Sequence, residues 1–180
     1  MKIKPDDRWK WYFDAEFDRL MLDLANGMVF RSRLAGRFLI ADIFSGCAFT
    51  VEDTAQYYDY MDGLHASPLT SAQKAELVLN AVAAQRFLKP VMPKSWYFAQ
   101  INHGYSPEMG ELVQVHLVDS EEKVLLFVVE NSGNASLCLV AQPQMILNDR
   151  PLALGEPIKV MNDRLSPAST LAYGAYACAG

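Results

Sequence analysis

Two prolines, Pro90 and Pro93, mark the position at which the residue pattern of the chain changes most sharply. Before them, residues 71–88 carry broad rows of apolar side chains at helical spacing, and Thr70 with Gln73 has the spacing of a capping box. Pro90 stops this helix, because proline lacks the backbone N–H that an α-helix needs. After the prolines no helical periodicity returns, and short apolar runs typical of β-strands follow one another. The chain therefore divides here into a part with helices and a part made of strands.

This division predicts an α+β fold with two regions and a tail. We expect an N-terminal α/β region over residues 1–92 and a small all-β, barrel-like region over residues 93–165. After Arg164 the chain has no charged side chain, and Ala, Gly, Ser and Tyr dominate. We therefore expect residues 166–180 to form a flexible tail.

The N-terminal region is predicted to begin with three antiparallel strands. Residues 9–13 and 19–24 are rich in strand-forming residues and flank a polar bend, which indicates a hairpin. Asn26-Gly27 then separates the second strand from residues 28–30, and this dipeptide suits a type I′ turn. A short helix is predicted at residues 51–62, because a capping-box pair precedes its apolar residues.

The polar and apolar faces of the later segments give further predictions. In the helix at 71–88, Gln73, Glu76 and Asn80 form one narrow polar stripe, which we expect to face water. A turn-forming cluster occupies residues 148–151. The strands of the C-terminal region are predicted at residues 95–99, 112–118, 124–130, 135–141, 144–147 and 158–161.

The overall composition is that of a globular protein with an acidic balance. The 180 residues are 51% hydrophobic and carry 16 Lys and Arg against 21 Asp and Glu, a net charge of −5. We expect no nucleic-acid partner, because phosphates attract basic surfaces. The longest apolar run, Val124–Val129, is far shorter than the ~18 residues of a membrane span, and Pro5 interrupts the place of a signal peptide. Three widely separated cysteines also fit a reducing cytoplasm.

No motif for catalysis, a metal or a cofactor is present in the sequence. His65, His103 and His116 lie far apart along the chain, whereas a metal site needs several ligands that converge. Ser106 lies in a segment that begins like a nucleophile elbow, but Glu108 replaces the second glycine, which favours a loop. We expect a protein that is not an enzyme and that has neither a cofactor nor a metal. A hydrolase built around Ser106 is an alternative.

Basic residues in stiff contexts indicate where a partner could bind. Lys89 and Lys94 flank the prolines at the junction of the two regions, where a cleft can form. A cleft lined by one sign of charge focuses the electrostatic potential, so an acidic peptide or the acidic face of another protein is a reasonable partner. The alternative is that these lysines only solvate a linker. Arg31, Arg33 and Arg37 form a second basic cluster, which protection of a strand edge explains at least as well.

Six groups of segments, spread over the whole chain, share one resemblance: Lys4–Asp7 with Trp9 and Trp11, Met21–Met28, Gln73–Ala81, Leu88–Trp96, Leu137–Leu139 with Ala141–Pro143, and Ile158–Leu165. Together they resemble ZapC, a family of bacterial Z-ring-associated proteins that bind the tubulin-like division protein FtsZ. The resemblance implies a cytoplasmic, non-enzymatic partner of FtsZ that is recruited to the division septum at midcell. It also implies stabilisation of FtsZ polymers, bundling of protofilaments and suppression of FtsZ GTPase activity.

The resemblance further implies two binding pockets. A basic pocket between the two regions would include Lys89, Lys94 and Arg164, and a hydrophobic pocket in the N-terminal region would include Leu22, for which a core position is the alternative. Bundling requires contact with two filaments, so it needs either two patches on one chain or a homodimer, and the sequence leaves monomer and homodimer open. The second function that we consider is a small-ligand binding module whose basic cleft holds an anionic metabolite.

Overall fold

The computed structural model describes residues 3–101 and 104–168 and has the predicted α+β fold. Two α-helices occur in the N-terminal part of the described chain, α1 (Val51–Gly63) and α2 (Ser71–Phe87). The strands, in chain order, are β1 (Lys10–Asp14), β2 (Arg19–Asp23), β3 (Val29–Arg31), β4 (Cys47–Ala48), β5 (Leu112–His116), β6 (Lys123–Asn131), β7 (Ala135–Val140), β8 (Gln144–Leu147), β9 (Arg150–Ala153), β10 (Pro157–Met161) and β11 (Ser166–Pro167).

The N-terminal sheet has four antiparallel strands in the order β3-β2-β1-β4. The predicted three-stranded start is confirmed, and Leu22 of β2 lies opposite both Trp11 and Phe30. In the second turn, Gly27 has a φ of +87°, a conformation that glycine adopts without steric cost. The sequence did not predict β4, a two-residue strand that pairs with the other edge of β1.

Both helices begin with the capping boxes that the sequence predicts. The Thr50 hydroxyl accepts the N–H of Asp53, and the Asp53 carboxylate accepts the N–H of Thr50. Thr70 and Gln73 form the same reciprocal pair of hydrogen bonds at the start of α2. Each helix ends within one residue of its predicted end. Local sequence signals therefore determine where these helices begin and end.

The prediction that Asn80 faces water is wrong, because its side chain is fully buried. Its Oδ1 accepts the backbone N–H of Arg33 at 2.8 Å, and its Nδ2 donates to the carbonyl of Glu76 at 3.0 Å. A buried amide costs free energy unless it is hydrogen-bonded, and both bonds meet that requirement. Arg33 precedes Asn80 by 47 residues, so helical periodicity cannot reveal this bond.

The C-terminal part contains a five-stranded antiparallel sheet in the order β10-β7-β6-β5-β11 and a β8-β9 hairpin. Within the described residues the sheet ends at β10 and β11, so the expected barrel-like region is an open sheet and not a closed barrel. Ser95–Tyr97 forms a 3₁₀-helix, which corrects the strand predicted at 95–99. The turn predicted at 148–151 overlaps β9, and its centre is formed by Asn148 and Asp149, both with positive φ.

The strands β6 and β7 are buried on both faces, and each face belongs to a different hydrophobic core. Phe127, Val129 and Leu139 share a core with α2 and the N-terminal sheet. Val128 and Cys138 belong to a second core that is built from C-terminal residues. Burial on both faces explains why these strands are continuous apolar runs in the sequence. The same burial raises the pKa of the Cys138 thiol.

The division of the chain at residue 92 and the flexible tail remain predictions. The first core combines residues from both sides of the predicted division. At the start of the predicted tail, Ser166–Pro167 pairs with β5, and residues 169–180 lie outside the described residues. No helix in the described chain is long and apolar enough to cross a membrane.

Candidate functional site

A cleft of about 710 Å³ lies where the two parts of the molecule meet. Its lining comes from residues 33–38, which follow β3, from residues 88–97, which follow α2, and from the β8-β9 hairpin and β10. Residues before and after Pro90 therefore both contribute to it. The cleft exists only because the two parts pack against each other.

Arg33 joins the two parts at the cleft. Its Nε donates to the carbonyl of Leu154 at 3.2 Å, and its guanidinium forms an ion pair with Glu76, also at 3.2 Å. Gly155 packs closely beside this junction, because a Cβ atom at residue 155 would lie 2.7 Å from Nδ2 of Asn80. The hydrogen-bonding groups of Arg33 are thus largely used within the protein, and its main contribution is to the structure of the cleft.

Backbone hydrogen bonds attach residues 88–97 to both parts of the molecule. The N–H of Lys89 donates to the carbonyl of Phe38 at 2.7 Å, and the N–H of Lys94 donates to the carbonyl of Lys159 at 2.8 Å. Together with the two prolines, these bonds fix the backbone of the segment. Because the segment is already ordered, it loses less conformational entropy when a partner binds.

The cleft concentrates positive charge. One lining cation, Arg37, lies over the ring of Phe38 with its guanidinium carbon 4.6 Å from the ring centroid, which restrains its planar group. The lining also includes one carboxylate, Glu156, which accepts the backbone N–H of Ala153. Unpaired cations in a concave site raise the local potential more than the same charges on a flat surface. Four lining cations have no ion-pair partner among the described residues: Arg37, Lys94, Arg150 and Lys159.

Apolar side chains form the deeper surface of the cleft. Leu34, Leu147 and Ile158 are buried there, whereas the lining residues Phe38 and Met92 are exposed. A site that combines apolar surface with a few charged groups can bind a ligand through burial and orient it through charge. This arrangement suits a ligand with both anionic and apolar parts.

Both parts of the chain match models of one protein family. Residues 2–89 match the model described as cell-division protein ZapC, N-terminal, and residues 90–171 match the model described as cell-division protein ZapC, C-terminal. The chain belongs to the ZapC family. A role in cell division follows from this membership.

Individual ZapC relatives are similar in sequence to this chain over most of its length. The cell division protein ZapC of Proteus mirabilis strain HI4320 is 52% identical over 166 residues, which cover 92% of this chain and 91% of the relative. The ZapC of Musicola paradisiaca strain Ech703 is 51% identical over 168 residues, covering 93% and 90%. The ZapC of Aliivibrio salmonicida strain LFI1238 is 41% identical over 180 residues, covering 99% of each chain. These names describe cell division proteins and not enzymes.

The four residues singled out by the ZapC resemblance lie in different surroundings. Lys94 lines the cleft, and Lys89 is exposed on the same segment. Arg164 lies outside the cleft lining and forms an ion pair with Asp163 at 2.6 Å. Leu22 is fully buried in the N-terminal core. The roles of all four in partner binding remain predictions.

Sequence reasoning missed most of the cations that meet in the cleft. The sequence groups Arg37 with residues that protect a strand edge, and it places Arg150 in a turn. Lys159 alternates along β10 with the buried residues Ile158 and Val160, so the strand period indicates that its side chain points away from the core. No local pattern indicates that these three cations converge, because the packing of the two parts brings them together.

A second cavity, of about 480 Å³, lies beside Ser106. The Ser106 hydroxyl accepts a hydrogen bond from Nδ2 of Asn131 at 2.9 Å, so its hydrogen-bond partner among the described residues is an amide group and not a base. Activation of a serine nucleophile requires a base within hydrogen-bond reach. His103 lies outside the described residues. The described geometry therefore gives no support to the hydrolase alternative.

Proposed function

We propose that this ZapC-family chain binds FtsZ directly, stabilises FtsZ polymers, promotes bundling of protofilaments in the Z ring and suppresses FtsZ GTPase activity. It does so without catalysis, in the cytoplasm, and is recruited to the division septum at midcell. The observation that carries this proposal is the basic cleft, in which four cations have no ion-pair partner among the described residues. An acidic surface of FtsZ would supply the opposite charges.

The predicted contact residues have different roles in this proposal. Lys89 and Lys94 would face FtsZ from the segment beside the cleft, whereas Arg164 would act from outside the cleft lining. Leu22 has no exposed surface, so it would influence binding by supporting the sheet from which residues 33–38 extend. Of the four, Lys94 is therefore the best residue to test first.

The proposed effects on FtsZ follow from selective binding to the polymer. A ligand shifts an equilibrium only through its different affinities for the two states, so this protein must bind assembled FtsZ more tightly than free subunits. Slower exchange of subunits from the stabilised polymer would then lower the rate of GTP hydrolysis. Bundling needs two contacts per bridging unit, which a chain with two patches or a homodimer supplies.

Co-sedimentation with FtsZ tests the proposal. We expect the protein to pellet with FtsZ in GTP but not in GDP, and to pellet less as the salt concentration rises, because salt screens charge-assisted binding. Lys94→Glu should abolish pelleting, whereas Lys123→Glu, at an exposed position of β6 outside the cleft, should leave it unchanged.

The same experiment contains the results that would contradict the proposal. If the folded protein does not pellet with FtsZ at any salt concentration, direct binding to FtsZ is wrong. If both charge reversals reduce pelleting equally, FtsZ binding does not depend on the cleft. Circular dichroism of both variants separates a loss of binding from a loss of folding.

The dimensions of the cleft also favour a second function, the binding of a small anionic metabolite. A volume of about 710 Å³ lies within the range of small-molecule sites. A thermal-shift screen with anionic metabolites would support this function if one of them gives a saturable rise in melting temperature that Lys94→Glu removes. The absence of any such rise would leave FtsZ binding as the better proposal.

A further inference from the structure

We propose that the cleft binds an acidic peptide segment in which an apolar side chain lies between carboxylates, and that Arg37 and Arg150 bind these carboxylates from the two parts of the molecule. This inference rests on the proposed function in one respect, because it takes the cleft as the partner-binding site. It specifies the chemistry of the segment that enters the cleft and the two side chains that select it.

The charge evidence favours Arg37 and Arg150 as the selecting residues. Arg37 precedes α1 and Arg150 begins β9, so the two line the cleft from different parts of the fold. Neither has an ion-pair partner within the described chain. Arginine presents a planar fork of donors that matches a carboxylate, and stacking on Phe38 already restrains the fork of Arg37.

Two lysines extend the same positive surface. Lys94 and Lys159 line the cleft and are joined through their backbones by the bond from the N–H of Lys94 to the carbonyl of Lys159. Lysine interacts with anions as a flexible point charge and imposes little geometry. The lysines therefore attract an acidic ligand, whereas the two arginines determine how its carboxylates are spaced.

The apolar evidence distinguishes a peptide from other anions. Leu34, Leu147 and Ile158 form a buried apolar surface in the cleft, and Met92 at its opening is 81% exposed. Covering this surface with an apolar side chain removes it from water, which contributes to affinity. A polyphosphate or a nucleic-acid backbone has the negative charge but no aliphatic group for this surface. A peptide with acidic residues around a leucine has both.

Fluorescence polarisation with two labelled decapeptides tests this inference on the full-length protein. The first peptide carries one central Leu with two acidic residues on each side, in a Ser and Gly background. The second has Ser in place of that Leu and the same charge. We expect the Leu peptide to bind with a Kd about tenfold lower, because it buries one large aliphatic side chain.

Two protein variants with the same change in net charge locate the site. Arg37→Glu with Arg150→Glu should weaken binding of the Leu peptide at least about tenfold, because two charge-assisted contacts become repulsive. The control, Lys4→Glu with Lys123→Glu, changes two exposed cations outside the cleft and should change the Kd by less than about twofold. Met92→Ser should reduce the preference for the Leu peptide over the Ser peptide and leave the Kd of the Ser peptide unchanged.

Three results would overturn the inference. Equal Kd values for the Leu and Ser peptides would mean that the apolar surface does not contribute. Equal weakening by the two double variants would mean that general charge attraction explains the binding. Tighter binding of a polyphosphate or a single-stranded oligonucleotide of the same charge would mean that the cleft recognises phosphates.

These results are independent of the co-sedimentation experiment. If the peptides fail but FtsZ still pellets the protein, the proposed function stands and FtsZ binds through another chemistry. If the Leu peptide binds as expected but FtsZ does not pellet the protein, the cleft recognises an acidic segment of a different partner.

Discussion

The two faces of β6 and β7 differ in what they hold together. One face, which carries Phe127, packs with α2 and the N-terminal sheet. The other face, which carries Val128, packs only with C-terminal residues in the part of the chain that the structure describes. The first face therefore connects the two parts that the family models separate, and the second stabilises the C-terminal sheet itself. The position of the cleft therefore depends on the shared core, because both parts contribute to its lining.

The largest expected effect is the loss of Phe127 from the shared core. Phe127 is fully buried, with its ring centroid 5.3 Å from that of Tyr60 on α1. We expect Phe127→Ala to lower the free energy of unfolding by about 3–5 kcal/mol, because it removes a buried aromatic ring and leaves a cavity. Urea denaturation followed by circular dichroism measures this loss.

Phe98→Ala is the matched change in the other core, where Phe98 is 2% exposed. Hydrogen exchange should become faster in both α2 and the sheet for Phe127→Ala. For Phe98→Ala it should become faster mainly in β5 and neighbouring strands. If α2 exchanges at the same rate in both variants, the shared core does not couple the two parts.

The second prediction concerns Asp53, which connects the N-terminal sheet to both helices. Its Oδ2 accepts hydrogen bonds from Nε1 of Trp11 at 3.2 Å and from the N–H of Thr50 at 3.0 Å, and it forms an ion pair with Arg86 at 2.5 Å. We expect Asp53→Ala to lower the free energy of unfolding by about 2–3 kcal/mol, because a buried indole N–H and a backbone N–H at the start of the helix both lose their acceptor. Arg86 is partly exposed, so the loss of its ion pair adds little to this cost. Chemical denaturation gives the value.

Asp59→Ala is the control for this prediction, because Asp59 is exposed on the same helix. Surface substitutions usually change stability by no more than about 0.5 kcal/mol. If the two variants lose the same stability, the loss in Asp53→Ala comes from the removal of a negative charge, and the hydrogen bonds of Asp53 do not add to stability.

The third prediction tests the junction between the two parts at Gly155. This residue has a φ of +89°, and a Cβ atom there would lie 2.7 Å from Nδ2 of Asn80. We expect Gly155→Ala to cost about 2–3 kcal/mol, from backbone strain and from displacement of the Asn80 amide. Gly133→Ala, with a φ of +110° and no atom within 4 Å of the new Cβ, should show the backbone cost alone. If the two variants lose the same stability in thermal denaturation, displacement of the Asn80 amide does not add to the cost of Gly155→Ala.

Local signals in the sequence predicted the elements of the fold well. The capping boxes at Thr50 and Thr70 and the Asn26-Gly27 turn depend on residues a few positions apart, so the sequence alone reveals them. The strand predicted at 95–99 failed because Lys94 and Met161 make tertiary hydrogen bonds that shape this segment, with the Ser95 hydroxyl accepting the N–H of Met161. Tertiary contacts of this kind override local propensity.

The candidate site was harder to predict than the fold. Lys94 could be proposed because two prolines restrict its segment, and it does line the cleft. Arg37, Arg150 and Lys159 come from three other segments, and the packing of the two parts against each other, including α2 on β6 and β7, brings those segments together. Asn80 illustrates the same limit, because its partner is the backbone N–H of Arg33, which lies 47 residues earlier in the chain.

The smallest expected effect comes from the N-terminal cap of α2, the helix that packs on the shared core. The Thr70 hydroxyl accepts the N–H of Gln73 at 3.2 Å. Thr70→Ala should cost about 1 kcal/mol, because the first turn of the helix loses an acceptor. Thr70→Ser keeps the hydroxyl and should stay within about 0.5 kcal/mol of the original protein. Residues of α2, β6 and β7 share one hydrophobic core. Thermal denaturation of Thr70→Ala should therefore show one cooperative transition at a lower temperature. Two separate transitions would mean that the parts unfold independently.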